Sequence, residues 1–447
     1  MIHRTPLDKW ILSKMSKTLP SANLSQSELE YYQLGKLKET IDYAKSRSPF
    51  YKGYLKHFTR DGLTCLEDMR RLPLTNSEHV EGRAPEFLCV SQSEVQRIVT
   101  LRNLQSSQGT RRIYFTASDI EQTTDFFHHG MSTLVEPGQR VLILMPGDRP
   151  DTVGDLLVKA LERMDVEGIV YGFVMDPADA VQKIKRQEID AVVGVPTNTL
   201  SVARHEDSAS IGRGRIKTVL LSSDYVSPAI IREFERIWGC RVFNHYGSTE
   251  MGFGGGVECQ AFSGYHMREA DMFFEIVDPN SGELLEPGEL GEVVFTTFGR
   301  QAMPLIRYRT GDLSKILSGP CPCGSPLTRL DRVRGRIPDF VRLGQNHWLG
   351  VPDLDDALFC VDKLIDYQAS LICRNNQPQL DIIVDTGSSH KRQILERIRQ
   401  SLTQTVALKK AIEEGAVSIG SVSFGVVRKP ESSSFKRKIV DLWNLSG

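Results

Sequence analysis

The chain has 447 residues, too many for one ordinary hydrophobic core, so two or three folding units with room for a buried site are expected. Its 55 basic and 56 acidic residues nearly cancel, and 40% hydrophobic with 25% charged residues is an ordinary globular composition. That balance argues against nucleic acid or a membrane surface as an electrostatic partner.

The opening MIHRTPLDKWILSKMSK lacks the apolar core of a signal peptide, and no later run approaches the ~20 apolar residues of a membrane span. A cytoplasmic protein with no membrane partner is therefore expected. From Tyr31 to about Tyr54, Leu34, Leu37, Ile41 and Tyr43/Ala44 fall at helical spacing, and Pro49 should stop the helix. Between 135 and 221 short apolar runs (RVLILMPG, GIVYGFV, AVVGVP, TVLLSS) alternate with helical patterns, one of them after Pro177. This rhythm predicts parallel strands joined by helices, with the ligand crevice at the strand C-termini. SPAIIREFERIWG then predicts a helix with Ser227 as N-cap, Pro228 in its first turn and Gly239 past its end. Residues 273–297 alternate around a Pro/Asn/Gly turn and predict antiparallel hairpins. Beyond about 336, DYQASLIC and QLDIIVD flank a turn, Ile394, Ile398, Leu402 and Val406 repeat at helical spacing, and GSVSFGVV follows. The fold class expected is α/β: a large N-terminal multi-sheet α/β domain with a helical start (1–335) and a small mobile α+β domain (336–447).

Three stretches carry chemistry. In YGSTE, 246–250, an aromatic face, a glycine, two hydroxyls and a carboxylate follow a predicted strand, a set suited to a nucleotide with Mg²⁺ on the carboxylate. The plainer alternative is a polar loop. YRTGD, 308–312, ends on the residue type that accepts both hydroxyls of a ribose, or is a turn with a capping aspartate. GRIPDFVRLGQN, 335–346, lies where the composition changes and can act as a hinge beside a basic residue. Separately, ECQAFSGYH holds Cys259 and His266, and CPCG holds Cys321 and Cys323. Two cysteines one residue apart make a strained disulfide, whereas two thiolates on one knuckle suit tetrahedral Zn²⁺. Eight cysteines over this length are sparse for a disulfide framework, so thiols are the alternative.

In this order the three stretches resemble the adenylate-forming (acyl-CoA synthetase) superfamily. With SPFYKGYLKHF, LPLTNSEHV, FTASDIE, YGSTEMG, EIVDPNSGELLEPGELGEVVFTT, QAMPLIRYRTGDLS and GRIPDF, the chain from about residue 31 onward looks like its phenylacetate-CoA ligase branch. The resemblance implies an AMP-forming acid–thiol ligase. Such an enzyme activates a carboxylic acid, here expected to be aryl, with Mg-ATP as an acyl-adenylate, then rotates the small domain and passes the acyl group to CoA. It implies Tyr246 against adenine, Thr249 on the α-phosphate, Glu250 on Mg²⁺, Asp312 on the ribose and Arg336 near ribose or phosphate. Gly247 and Ser248 complete that loop, and Ser106, Ser107, Gly109 and Thr110 fall in the phosphate loop. Gly344 and Asn346 match the loop that approaches the CoA arm. Related ligases carry similar cysteine and histidine positions, which implies a closed structural zinc site of Cys259, His266, Cys321 and Cys323, and a homodimer is the branch's default.

Three places depart from the pattern. The phosphate loop should read like SSGTTGKP but is SSQGTRR, with Gln108 in a glycine's place and no lysine. Arg111 or Arg112 is left to supply the charge, and one lost preorganised donor can cost about 3 kcal/mol. In the hinge, Pro338 precedes Asp339 where two acidic residues are expected. Near the end, ESSSFKRKIVDLW lacks the glycine the resemblance leads one to expect, and Lys436, or else Lys438, is the candidate for the adenylating lysine, with a solvated basic turn as the alternative. The alternative reading is a catalytically impaired nucleotide-binding or scaffold protein on the ligase fold; a third is an enzyme of one half-reaction. Phe126, Phe127, His128 and His129 either line an acyl pocket or form a core face, and Ser222, Ser223 and Asp224 are expected near the nucleotide crevice.

Overall fold

A computed structural model describes residues 5–17, 24–102, 109–374, 377–387, 391–427 and 437–443. Ser106, Ser107, Gln108 and Lys436 lie outside them. The chain divides into two compact units, one of Met1–Gly138, Gly147–Glu167 and His245–Val333, the other of Gln139–Pro146, Gly168–Asn244 and Arg334–Gly447.

The first unit opens on the helix Pro6–Ser16, whose Thr5 and Asp8 form a capping box. The next helix, Gln26–Arg47, buries Leu29, Tyr32, Leu37, Ile41 and Ala44 and ends at Ser48, just before Pro49 as expected. Pro49 then starts a second short helix, Pro49–Tyr54, because its fixed φ and missing N–H suit a first turn. Ser48 is extended (φ −86°, ψ 122°), as a residue before proline prefers, and its hydroxyl accepts the Tyr51 N–H.

Strand Val95–Arg102 pairs antiparallel with Thr110–Thr116, which leads into the helix Ala117–Met131 through a Thr116/Asp119 capping box. The expected hairpin is the antiparallel pair Met272–Val277 and Gly291–Thr297. A third strand, Tyr308–Ser314, adds to it across a register shift between Glu292 and Val294. YRTGD is thus a bulged strand rather than a turn, with Gly311 at φ +75° where a side chain would strain the backbone. Short antiparallel strands Gly256–Glu258, Tyr265–Met267 and Arg329–Leu330 complete the unit.

In the second unit Arg140–Leu144, Ala191–Gly194, Thr218–Leu221 and residues 241–244 of the strand Arg241–Tyr246 pair in parallel, as the sequence rhythm predicts. The helix Pro177–Arg186 starts at its proline under the Asp176 cap. Ser227 caps Pro228–Ile237, and Gly239, at φ +69°, follows its end. Residues 334–447 contribute the hairpin Val341–Leu343/His347–Leu349, the helix Val351–Leu358 and a four-stranded sheet ordered Ser418–Phe424, Gln377–Thr386, Leu364–Arg374, Ile439–Asp441. The predicted helical repeat holds for Ile394, Ile398 and Leu402 but fails at Val406. That residue opens a separate helix, Val406–Glu413, and is 77% exposed, because the chain breaks at Thr405 and the face rotates. One contiguous apolar core joins Leu142, Val192, Val219 and Phe234 to Leu354, Leu371, Ile382 and Ile398. The α/β class with several sheets is as expected, and no described helix is long and apolar enough to cross a membrane.

Candidate active site and candidate metal centre

The loop after Tyr246 is folded tightly on itself. Gly255 N–H donates to Tyr246 O at 2.9 Å, and Phe253 N–H donates to Ser248 O at 2.8 Å. A Cβ on Gly247 would lie 2.5 Å from Phe253 O, so only glycine permits this approach. The loop brings YGSTE to YRTGD: the Tyr246 hydroxyl donates to Asp312 Oδ2 at 2.8 Å, and both residues are buried. Asp312 is held there by the bulge, where Glu292 Oε1 accepts Gly311 N–H and Thr310 Oγ1 accepts Asp312 N–H.

Beside this pair the buried Glu250 carboxylate meets Arg111, whose Nη1 lies 3.1 Å from Glu250 Oε1 and 3.1 Å from the Tyr308 hydroxyl. Arg300 Nη1 donates to the Glu250 carbonyl at 2.5 Å, and burial lowers the Arg300 pKa to about 10. Gly109 is buried and Thr110 exposed on the strand preceding Arg111. Sequence alone left Arg111 and Arg112 equivalent. The strand separates them: Arg111 shares a face with the buried Ile113 and Phe115, and Arg112 lies on the other face, exposed.

The four candidate zinc ligands meet. Cys259 Sγ is 3.7 Å from Cys321 Sγ, Cys323 Sγ is 3.4 Å from His266 Nε2, and all four ligand atoms lie within 4.8 Å of one another. A tetrahedron of Zn–S bonds of about 2.3 Å has edges of about 3.8 Å, so the spacing and donor set fit Zn²⁺. The Gly324 N–H to Cys321 O bond (2.9 Å) closes one knuckle, and the Ala261 N–H donates to Cys259 Sγ (3.4 Å) in the other. All eight cysteines are free thiols. A second group, Asp125, His128 and His129, is already bound by protein: Asp125 Oδ2 accepts Trp10 Nε1 at 2.8 Å and Lys14 Nζ at 3.2 Å. Phe126 and Phe127 of the same helix are core, the former under the Arg268 guanidinium.

These sites lie in a chain matched over residues 168–303 by the family model described as AMP-binding enzyme. A phenylacetate-coenzyme A ligase of Escherichia coli (strain K12) is 24% identical, covering 97% of this chain and 99% of the other. One from Pseudomonas putida is 27% identical, covering 72% of this chain and 74% of the other. The chain is thus similar to AMP-binding enzymes over that segment and to phenylacetate-coenzyme A ligases over most of its length. The fold agrees: a 2-hydroxyisobutyryl-CoA ligase structure superposes with TM-score 0.79 at 19% identity, covering 94% of this chain and 91% of the other.

In the second unit, Arg336 precedes a 3₁₀ turn, Ile337–Asp339, into whose start Pro338 fits. Gly344, at φ +62°, turns the hairpin that carries the exposed Asn346. Lys438 Nζ is 3.1 Å from Asp339 Oδ1. The residue between Lys436 and Lys438 is the one that sequence reasoning missed. Arg437 is clasped by two carboxylates, with Nη1 2.5 Å from Asp355 Oδ1 and Nε 3.3 Å from Asp224 Oδ2, and its guanidinium lies over the Phe359 and Tyr367 rings. Burial pushes the Asp355 carboxyl up to about 7, against the opposing pull of Arg437. Asp224 is thus a partner of this arginine; a cation flanked by lysines in FKRK gave no signal of its separate role.

Proposed function

We propose that the chain is an AMP-forming acid–CoA ligase acting on an aryl or related carboxylic acid. The observation that carries this reading is the 2.8 Å contact of Tyr246 with Asp312, which joins an aromatic face and a ribose-type acceptor from two distant motifs beside the Glu250 carboxylate. In the first half-reaction a carboxylate oxygen attacks the α-phosphorus of ATP, and the bond to the bridging oxygen of pyrophosphate breaks. In the second the CoA thiolate attacks the acyl carbonyl and AMP leaves, its proton balance closed by loss of the thiol proton. This chain's share is positioning and charge.

Gly247, Ser248 and Thr249 would hold the α-phosphate, with Ser106, Ser107, Gly109 and Thr110 on the outer phosphates. Tyr246 would carry the adenine, Asp312 the ribose, Arg336 the ribose or phosphate, and Lys436 the adenylation charge. Gly344 and Asn346 would approach the CoA arm. A buried carboxylate that already binds one cation is a hard oxygen donor suited to Mg²⁺, so Glu250 would hold it; bound there, Mg²⁺ supplies neutralisation of phosphate charge. Cys259, His266, Cys321 and Cys323 would hold a structural zinc, since protein fills all four positions. Residues 336–447 would move as the small domain on Gly335, at φ +118°, and a cytoplasmic homodimer completes the proposal.

The test is acid-dependent release of pyrophosphate over a panel of aryl and alkyl acids, followed by thioester formation with CoA. Nucleotide binding without pyrophosphate from any acid overturns the ligase reading.

A further inference from the structure

The missing lysine of the loop 104–112 leaves the ATP phosphates without their expected point charge, and Arg111 stands where that loop ends. It is held in place before any ligand arrives: Nη1 reaches both Glu250 and the buried Tyr308 hydroxyl, and the side chain is 15% exposed. Its Nε is buried and has no hydrogen-bond partner among the described residues. A buried unsatisfied donor is unfavourable, and a guanidinium offers a planar fork that matches phosphate oxygens. We propose that Arg111 is the phosphate-binding cation of this chain and that it shares the Glu250 carboxylate with Mg²⁺.

This rests on the nucleotide-site reading above and goes beyond it in one respect. A cation paired with Glu250 raises the local potential, so Arg111 and the metal compete for that carboxylate until phosphate draws the guanidinium away. Removing Arg111 then has opposite effects on the two ligands: phosphate binding weakens and metal binding at Glu250 strengthens. A merely structural arginine predicts no such split.

The experiment is calorimetric titration of the full chain with AMP, adenosine and metal-free ATP, for the wild type, Arg111→Gln and Arg111→Lys, with Mg²⁺ titrated separately into each protein. The wild type is expected to bind metal-free ATP more tightly than adenosine. Arg111→Gln should lose about tenfold of that margin, hold adenosine within twofold and bind Mg²⁺ several-fold more tightly, while Arg111→Lys keeps part of the ATP margin. Unchanged metal-free ATP binding in Arg111→Gln, with AMP still bound, overturns the role of Arg111 alone. Absence of AMP and adenosine binding in the wild type overturns the nucleotide site and this proposal with it. Should Arg111→Gln unfold, Arg111→Lys decides: a reduced ATP margin with intact adenosine binding supports the phosphate role of Arg111, and an ATP margin equal to the wild type's overturns it.

Discussion

The Tyr246 hydroxyl donates to Asp312 Oδ2 across 2.8 Å, and the two residues are 66 positions apart in the chain. Asp312→Ala removes the proposed ribose acceptor and should weaken AMP binding more than tenfold. Tyr246→Phe keeps the ring and takes one donor from a buried carboxylate. It should lower stability by about 1–3 kcal/mol and weaken AMP by less than Asp312→Ala does. Calorimetry with AMP and urea unfolding of both variants check the order. Equal AMP binding by wild type and Asp312→Ala contradicts the ribose assignment.

Zinc should copurify at one ion per chain. Cys321→Ser removes a ligand from a closed four-donor cluster and should release the ion, lowering stability by at least about 2 kcal/mol, roughly 4–8 °C in a domain of this size. Elemental analysis and thermal melts with and without chelator measure both effects. Metal-free protein with an unaltered melt on adding zinc refutes the centre.

Stability should fall with pH through the neutral range at Glu269. Its carboxyl is buried, with Thr328 N–H donating to Oε2 at 2.8 Å, and burial raises its pKa to about 7. A folded pKa above the unfolded value means that the folded state binds the proton more tightly. The contribution is therefore complete below the ordinary value of 4.5 and is lost as pH rises through about 7. Wild type should lose about 2 kcal/mol between pH 5 and pH 8 relative to Glu269→Gln. Parallel pH profiles of unfolding free energy for the two proteins contradict it.

Arg437 sits between a carboxylate side chain that is 0% exposed, Asp355, and one that is 11% exposed, Asp224. Asp355→Ala strands a buried guanidinium and should destabilise by about 3–5 kcal/mol. Asp224→Ala leaves the inner partner in place and should cost about 1–2 kcal/mol. Denaturant titrations rank the pair, and an equal or reversed order refutes the inner-partner assignment.

Local chemistry was legible wherever a residue's own backbone preference decided the outcome. Pro49, Ser227, Pro228 and Gly239 mark helix ends because proline fixes φ, serine caps and glycine takes positive φ. Apolar runs separated by helical patterns gave the parallel strands, and alternation gave the hairpin at 272–297. Val406 was misassigned because the apolar spacing runs on past Thr405, whereas the helix does not.

By itself the sequence determined the α/β class, the element types, the resemblance to phenylacetate-CoA ligases and the four cysteine and histidine positions that meet, since each rests on local patterns or on short motifs in order. Only the tertiary structure decided which charges meet. Arg111 rather than Arg112 faces Glu250, which is 139 positions away, and Arg437 rather than a neighbouring lysine is clasped by Asp224, 213 positions away. Charge pairing in a folded chain depends on distances of a few ångströms between residues that the sequence places far apart, and burial then fixes which ionised form persists.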